Sequence, residues 1–429
     1  MKFTYALSTF VAFILIPPDV PGASIADAVT GGKLHLSLRY RYEHVNDDRM
    51  SGAGMALRNA DASTLRTFLG YETGVFHNFS ATIDLENVIE VGIDDFNDGS
   101  NGKTGYATVV DPSGTELDQA FLNYTGIRNT GIKLGRQYIT YRNAPFHRYM
   151  GTILWRQNWQ TFDALTIDNR TFPDTRIRYA YAWNINRIFG RDAPEPLSHF
   201  DSDSHLVNIQ YRGLPFGDLE VYGYLLDLDN APGFSTRTFG ARFHGKRKLG
   251  GNIAALYTAE YAMQTDHAGN PADIDADYFL GEIGASCQLN RFIDSVTLKF
   301  SYERLSGTGG ADRFVTILGT NHAFQGWNDR FLVTPGDGIE DFILTAVMKI
   351  KGANLVAAYH DIGSDNMGYD YGREFNLLLS RTFRKHYTLG VKYASYDADN
   401  NTSNSSRNGV NAGTANDIDK FWIWAQFKY

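Results

Sequence analysis

Basic and acidic side chains recur at alternate positions through much of the chain, and this is the chemistry that the sequence offers. Arg39, Arg41, Arg66, Arg176, Arg178, Arg242, Lys299 and Lys392 each fall on the polar side of an alternating segment. Asp84, Glu86, Glu90, Asp118, Glu260 and Glu303 are interleaved with them. A guanidinium grips a carboxylate in a two-pronged way. Such a series has two uses. It can build salt-bridge ladders that stiffen a wall, or it can present positive groups that replace water around an anionic solute. Covalent chemistry has no comparable signal. Neither His-Glu-x-x-His nor Gly-x-Ser-x-Gly occurs, and Gly102-Lys-Thr104 is half of a phosphate loop with Asn97 where glycine is required. Cys287 is the only cysteine, which excludes a disulfide framework and a Cys-rich metal site. No cofactor is expected, and an enzyme is the distant alternative.

Composition narrows the elements that position these groups. The 429 residues include 42 glycines, 25 tyrosines and 28 phenylalanines but only 12 prolines. That mix suits apolar and polar residues alternating along many strands. The net charge of −8 argues against nucleic acid as a partner, and none is expected. No apolar run of about 20 residues follows the N-terminus, so a bundle of transmembrane helices is excluded. Met1-Lys2, the apolar stretch Phe3 to Ile16, Pro17-Pro18 and the small residues after Gly22 read as a secretory signal over residues 1–28. Cleavage is expected between Ala23 and Ala28, leaving 29–429 as one domain.

Period two then runs through the rest. Leu34, Leu36, Leu38, Tyr40 and Tyr42 oppose Lys33, His35, Ser37, Arg39, Arg41 and Glu43. Val296, Leu298, Phe300 and Tyr302 oppose Thr297, Lys299, Ser301 and Glu303. Strands are expected to start near residues 33, 62, 78, 115, 131, 160, 174, 204, 218, 235, 251, 277, 293, 338, 353, 371, 386 and 418. Every second gap is short, about three to seven residues, and the others are mostly long, as in an outer-membrane barrel. The expected fold is therefore all-β, a closed antiparallel transmembrane barrel of about 18 strands with short periplasmic turns and long extracellular loops, in the bacterial outer membrane. A lumen that wide holds water, a loop or both. Loops 140–160 and 306–337 are candidates to fold inward, and 397–418 reads as solvated. The last strand ends in Phe427-Lys-Tyr429, a pattern that assembly machinery for such barrels would read. Arg136 breaks parity, sharing a face with Ile132 and Leu134, and a bulge near Gly135 is expected to turn it inward.

Several segments resemble the alginate-export family of outer-membrane barrels. They are Thr64-Leu-Arg-Thr-Phe-Leu-Gly-Tyr-Glu72, Asp111-Pro-Ser-Gly-Thr-Glu-Leu-Asp-Gln-Ala120, Lys133-Leu-Gly-Arg-Gln137 and Trp155-Arg-Gln-Asn158. Gln160-Thr-Phe-Asp-Ala164, His322-Ala-Phe-Gln-Gly-Trp-Asn-Asp-Arg330 and Leu389-Gly-Val-Lys-Tyr-Ala394 join them. The resemblance implies an 18-stranded monomeric channel with an arginine-lined constriction for an acidic, uronate-rich polysaccharide. Arg66, Arg136 and Arg156 carry over by these words, while Asp118 and Asn328 depart from the pattern. The expected pore-lining set is Arg66, Arg136, Arg156, Arg39, Arg41, Arg176, Arg178, Glu86, Lys299 and Glu303. Trp327, Asp329 and Arg330 are candidate sugar contacts, although anchoring the loop is the plainer role for them. Expected partners are outer-membrane lipid and lipopolysaccharide, the barrel-assembly machinery, an anionic saccharide and periplasmic secretion proteins. An uptake porin for small anionic or sugar solutes is the alternative function.

Overall fold

A computed structural model of the protein describes residues 24–289, 292–399 and 414–429. Residues 1–23 of the expected signal segment 1–28, and residues 400–413 of the loop read as solvated, lie outside the described residues. Ile25–Thr30 forms a short helix capped by Ser24, so the cleavage region Ala23 to Ala28 runs into an ordered turn of helix.

Eighteen strands pair only with their sequence neighbours, and β18 (Ile418–Lys428) pairs with β1 (Lys33–Asp47) to close the sheet. All pairs are antiparallel. The other strands that matter below are β2 (Ala60–Glu72), β3 (Phe79–Asp95), β4 (Gly114–Ile127), β5 (Thr130–Gln137), β6 (Thr161–Asn169) and β7 (Thr175–Asn186). They are followed by β8 (His199–Tyr211), β9 (Asp218–Leu225), β10 (Thr236–Gly250), β11 (Ile253–Asp266), β12 (Asp275–Gln288) and β13 (Ser295–Leu305). The remainder are β14 (Ile339–Ile350), β15 (Ala353–Gly363), β16 (Asp370–Phe383) and β17 (Tyr387–Ala398). Most strands begin within two residues of the expected position. β8 starts earlier, at His199, because its first residues still pair with β7 across a bulge at Trp183. Two outer loops, 267–274 and 364–369, are shorter than the sequence pattern implies.

Closure is forced by hydrocarbon, which cannot hydrogen-bond a free strand edge. It also turns the usual burial pattern inside out. Leu34, Ile83, Leu122, Ile283, Leu298 and Leu344 are exposed on the outer wall, where lipid covers them. Arg41, Glu43, Arg66, Glu86, Glu260 and Glu303 are buried on the inner wall. Cys287 is half-buried.

Leu344 and Thr345 test this arrangement, since they are successive residues on opposite faces of β14. Leu344→Arg should cost about 2–4 kcal/mol of folding stability at the lipid face, and Thr345→Arg should cost much less. Reversible denaturant titration of barrels refolded into lipid vesicles measures both. Equal losses would contradict the assigned faces.

Candidate functional site: a plugged lumen

The inner walls are too far apart for side chains to fill the space between them, and two loops do so instead. The first, 138–160, joins β5 to β6, and the second, 306–338, joins β13 to β14. The first loop carries three arginines, and each finds wall carboxylates. Arg142 reaches Glu260 at 2.6 Å and Glu220 at 3.2 Å. Arg148 lies 3.1 Å from Glu303. Arg156 lies 3.2 Å from Glu43. The wall also reaches back. Arg39 donates to the Gln157 side chain at 2.7 Å, to the Leu154 carbonyl at 2.9 Å and to the Arg156 carbonyl. Arg41 donates to the Trp155 carbonyl and to Asp111. Arg66 pairs with Glu86 at 2.5 Å and stacks 3.6 Å from the Trp159 ring.

The two loops interlock. The Gly151 amide donates to the Leu318 carbonyl at 3.0 Å, and the Thr320 amide donates to the His147 carbonyl at 2.7 Å. Gly319 permits this crossing, because a Cβ there would sit 2.1 Å from the Arg148 carbonyl oxygen. Asp329 is the knot. One oxygen accepts from Arg156 of the first loop and from Lys420 of β18, both at 2.9 Å. The other accepts from His322 Nδ1 at 2.6 Å, whose Nε2 accepts from Lys392 of β17 at 2.5 Å. That network assigns a neutral His322 with its proton on Nδ1. The Lys392 ammonium is 3.9 Å from the Trp327 ring centre and 4.1 Å from that of Trp155. Next to it, the Trp327 and Asn328 amides donate to the buried Glu374 carboxylate. Gly326 makes that approach possible: its φ is +82° and a Cβ would meet Glu374 at 2.4 Å.

Trp327, Asp329 and Arg330 therefore anchor the second loop, with Arg330 held by Asp47 at 3.1 Å. Asn328, one of the departures from the resemblance, is buried with no hydrogen bond to either side-chain polar atom among the described residues. Asp118, the other, is the extra residue of a bulge in β4 and accepts from Tyr138 at the start of the first loop. Glu86 and Glu303 are the wall partners of Arg66 and Arg148. Lys299 pairs with Glu282 at 2.8 Å and Arg176 with Asp168 at 2.5 Å. Arg178 donates to Asn208 and to the Tyr141 carbonyl.

Arg136 corrects the expectation. The β5–β6 register runs without interruption through Gly135, so no bulge there turns Arg136 inward. It stays on the outer face with Leu134, beside the outer end of an eight-residue strand. Its charge is met by Asp163 at 2.7 and 3.0 Å, and Asn184 donates to the same carboxylate at 3.0 Å. Arg136 is not a lumen residue.

Beneath the plug lies a cavity of about 530 Å³ with Arg66, Asp84, Lys133, Tyr138, Trp159 and Lys428 in its lining. A second, of about 290 Å³, adjoins it through Lys133 and Tyr138 and reaches Arg176 and Arg178. Lys133 and Lys428 have no ion-pair partner among the described residues, although Lys133 lies 4.4 Å from the Phe121 ring. Neither was among the expected lumen residues. Lys133 shares parity with Gln137 on β5, which was the available signal.

No family model matches the chain, and neither does any curated protein. Solved structures do match over nearly the whole length. OccAB2 of Acinetobacter baumannii has 12% identity and a TM-score of 0.70, with 94% of this chain and 99% of that one covered. OpdK of Pseudomonas aeruginosa, solved with vanillate, has 14% identity and a TM-score of 0.67, with 94% and 99% covered. OccAB4 of Acinetobacter baumannii has 13% identity and a TM-score of 0.66, with 93% and 98% covered. These likenesses show the fold. The chain is a closed 18-strand barrel of the outer-membrane porin type, matching those of Gram-negative bacteria. The comparisons do not show the alginate-export family.

Two outcomes follow from the knot at Asp329. Asp329→Asn leaves Arg156 and Lys420 buried with reduced compensation, at a cost of about 3–5 kcal/mol. The plug should loosen, and planar-bilayer recordings should show a larger and noisier unitary conductance than wild type. An unchanged trace would show that the loops hold without this carboxylate.

The second concerns pH. Burial pushes His322 down to about 3, Asp329 opposes this, and Lys392 and Arg156 add to the lowering. The unfolded ring titrates near about 6.5, so below that pH the unfolded chain binds a proton that the folded ring refuses. Stability should therefore decline from about pH 6.5 towards 3. Burial alone would raise Asp329, but His322, Lys420 and Arg156 hold it well below the carboxylate range. Its contribution is lost only below about pH 3.9, as acid passes the unfolded value. Denaturation midpoints at pH 8, 6.5 and 5 should thus fall less steeply in His322→Gln than in wild type. Parallel slopes would assign the acid sensitivity elsewhere.

Proposed function

We propose that this barrel is a passive uptake channel for small solutes, with a preference for those carrying a carboxylate, and not an exporter of a uronate polymer. The observation that carries this reading is the pair of adjoining cavities beneath an interlocked plug, with Lys133 and Lys428 unpaired in their walls. Spaces of about 530 and 290 Å³ suit a solute of one or two sugar rings or of similar size. A polymer in transit would have to break the contacts between the two loops along its whole path. The arginines carried over from the alginate-export resemblance give that reading little support. Arg66 and Arg156 spend their charge on Glu86, Glu43 and Asp329, and Arg136 faces outward.

Lys133 and Lys428 are free to draw an anion, because low-dielectric walls focus the field of the few unpaired groups at a narrow point. Trp159 and Tyr138 offer flat apolar surface beside them. Several moderate contacts of this kind let a solute enter and leave, whereas a single tight site would stall it. The likeness to OpdK, which was solved with the small carboxylate vanillate, is consistent with a solute of this size. Direction of flow follows the gradient. The same reading places 29–429 as a single channel domain without catalytic function.

Reversal potentials across a salt gradient, and swelling of barrel-loaded liposomes, test the proposal. Wild type should favour anions and admit glucuronate faster than glucose. Lys133→Gln/Lys428→Gln should lose most of both preferences while its conductance stays near wild type. Swelling should be undetectable with uronate decamers. Unchanged selectivity in the double variant, or ready entry of decamers, would overturn the reading.

A further inference from the structure

The periplasmic end of the barrel carries a second set of unpaired cations, on the outside. Over β10 to β17 this end includes turns 251–252, 351–352 and 384–386, with Leu289 and residues 292–294 between β12 and β13. Arg247, Lys351, Arg381, Arg384 and Lys385 are all exposed there, and none makes an ion pair among the described residues. At the outer end of the barrel some cations are held, Lys103 by Asp94, Arg304 by Asp365 and Arg373 by Asp361, while Arg58, Arg191 and Arg237 are exposed without an ion pair among the described residues. The acidic net charge of the chain thus conceals a basic arc at its periplasmic rim.

Each part of that arc pairs charge with an aromatic ring. Arg247 lies 5.5 Å from the Phe216 ring centre, Lys351 4.5 Å from Phe292 and Arg381 4.8 Å from Phe383. Phe292 is 70% exposed, and Phe216 and Leu249 are exposed at the same end of the barrel. A ring with a cation at its edge of water suits the boundary between acyl chains and headgroups. The backbone adds an independent sign. In turn 383–386 both central residues are left-handed, Arg384 at φ 47° and Lys385 at φ 66°. Asn-Gly is the favoured pair for such a turn. At 351–352 the second position is glycine, as sterics prefer. At 384–385 two long cationic side chains occupy the strained positions instead.

We propose that this arc of the rim binds the anionic headgroups of inner-leaflet phospholipid, of the phosphatidylglycerol type. The cations meet the phosphodiester, and the rings and Leu249 lie in the acyl boundary. A wholly polar partner such as the cell-wall polymer would leave Phe216, Phe292 and Leu249 bare. The inference is independent of the solute that crosses the pore.

Purified barrels in micelles containing equal phosphatidylglycerol and phosphatidylcholine, exchanged into lipid-free detergent, provide the test, with retained lipid counted by mass spectrometry. Wild type should retain phosphatidylglycerol with about fivefold preference, given several cations acting together near one charged surface. Arg384→Asn/Lys385→Gly installs the residues this turn favours, so the barrel should be at least as heat-resistant as wild type while the preference falls. Adding Arg247→Gln, Lys351→Gln and Arg381→Gln should bring the ratio to parity. Equal retention of the two lipids by wild type would overturn the proposal. So would an undiminished preference in a folded double variant, or binding of purified peptidoglycan in place of lipid with the same dependence on these residues.

Discussion

One buried carboxylate, Asp329, holds the interior of this barrel together. It accepts hydrogen bonds from Arg156 of one inward loop, from His322 of the other and from Lys420 of the wall. Three separately folded pieces are thereby fixed at a single point. The arrangement works because every charge in it is answered. Arg156 also meets Glu43, and Lys392 behind His322 rests against tryptophan rings. A buried charge without such partners would cost several kcal/mol, by the usual magnitudes. Satisfying the whole set at once is what makes the plug a defined object and not a collapsed loop.

The need for a plug follows from the strand number. Eighteen strands closed by the β1–β18 pairing enclose more space than wall side chains can occupy. Hydrocarbon outside requires apolar residues on one face of every strand, so the polar content of the wall is driven inward. The inner face then carries buried carboxylates, Glu43, Glu220, Glu260 and Glu303 among them, that can pair with groups from the plug. The first loop supplies Arg142, Arg148 and Arg156 to them at separate points around the wall. Wall and plug are electrostatic complements.

This division explains what was legible in the sequence. Lipid enforces alternation residue by residue, so the strands, their number and their faces were open to reading, Leu34 to Tyr42 as plainly as Val296 to Tyr302. The loops obey no such rule. Arg148, Asp329 and Gln325 have the composition of a solvated loop, yet their side chains are buried, because here the interior is the polar side. Loop 138–160 could be suspected of folding inward, but its contacts with 306–338 could not be foreseen from either segment alone. Arg136 misled for a related reason. A polar residue at a lipid-facing position implied a backbone irregularity, whereas the structure answers its charge across the sheet. The outward parity of Asp163, shared with Leu165 and Ile167, was the sign that a polar group sits outside the wall, while Asn184 joins it only through the bulge at Trp183.

Partner counting therefore separates the cations of this chain more usefully than position does. Arg41, Arg66, Arg142, Arg148 and Arg156 lie in the lumen, but carboxylates take up their charge, and they serve as struts. Arg39 has no carboxylate, yet its donors are taken up by the Gln157 side chain and two loop carbonyls, so it serves as a strut as well. Among the described residues, the lumen-facing cations left without such ties are lysines, Lys133 and Lys428 beside the cavities among them. A flexible ammonium can follow a passing carboxylate and release it, where a planar guanidinium locked in a bidentate pair cannot. The division of labour is physical. Arginine builds the fixed frame through directed hydrogen bonds, and lysine, less constrained, remains for the transient contacts that permeation needs.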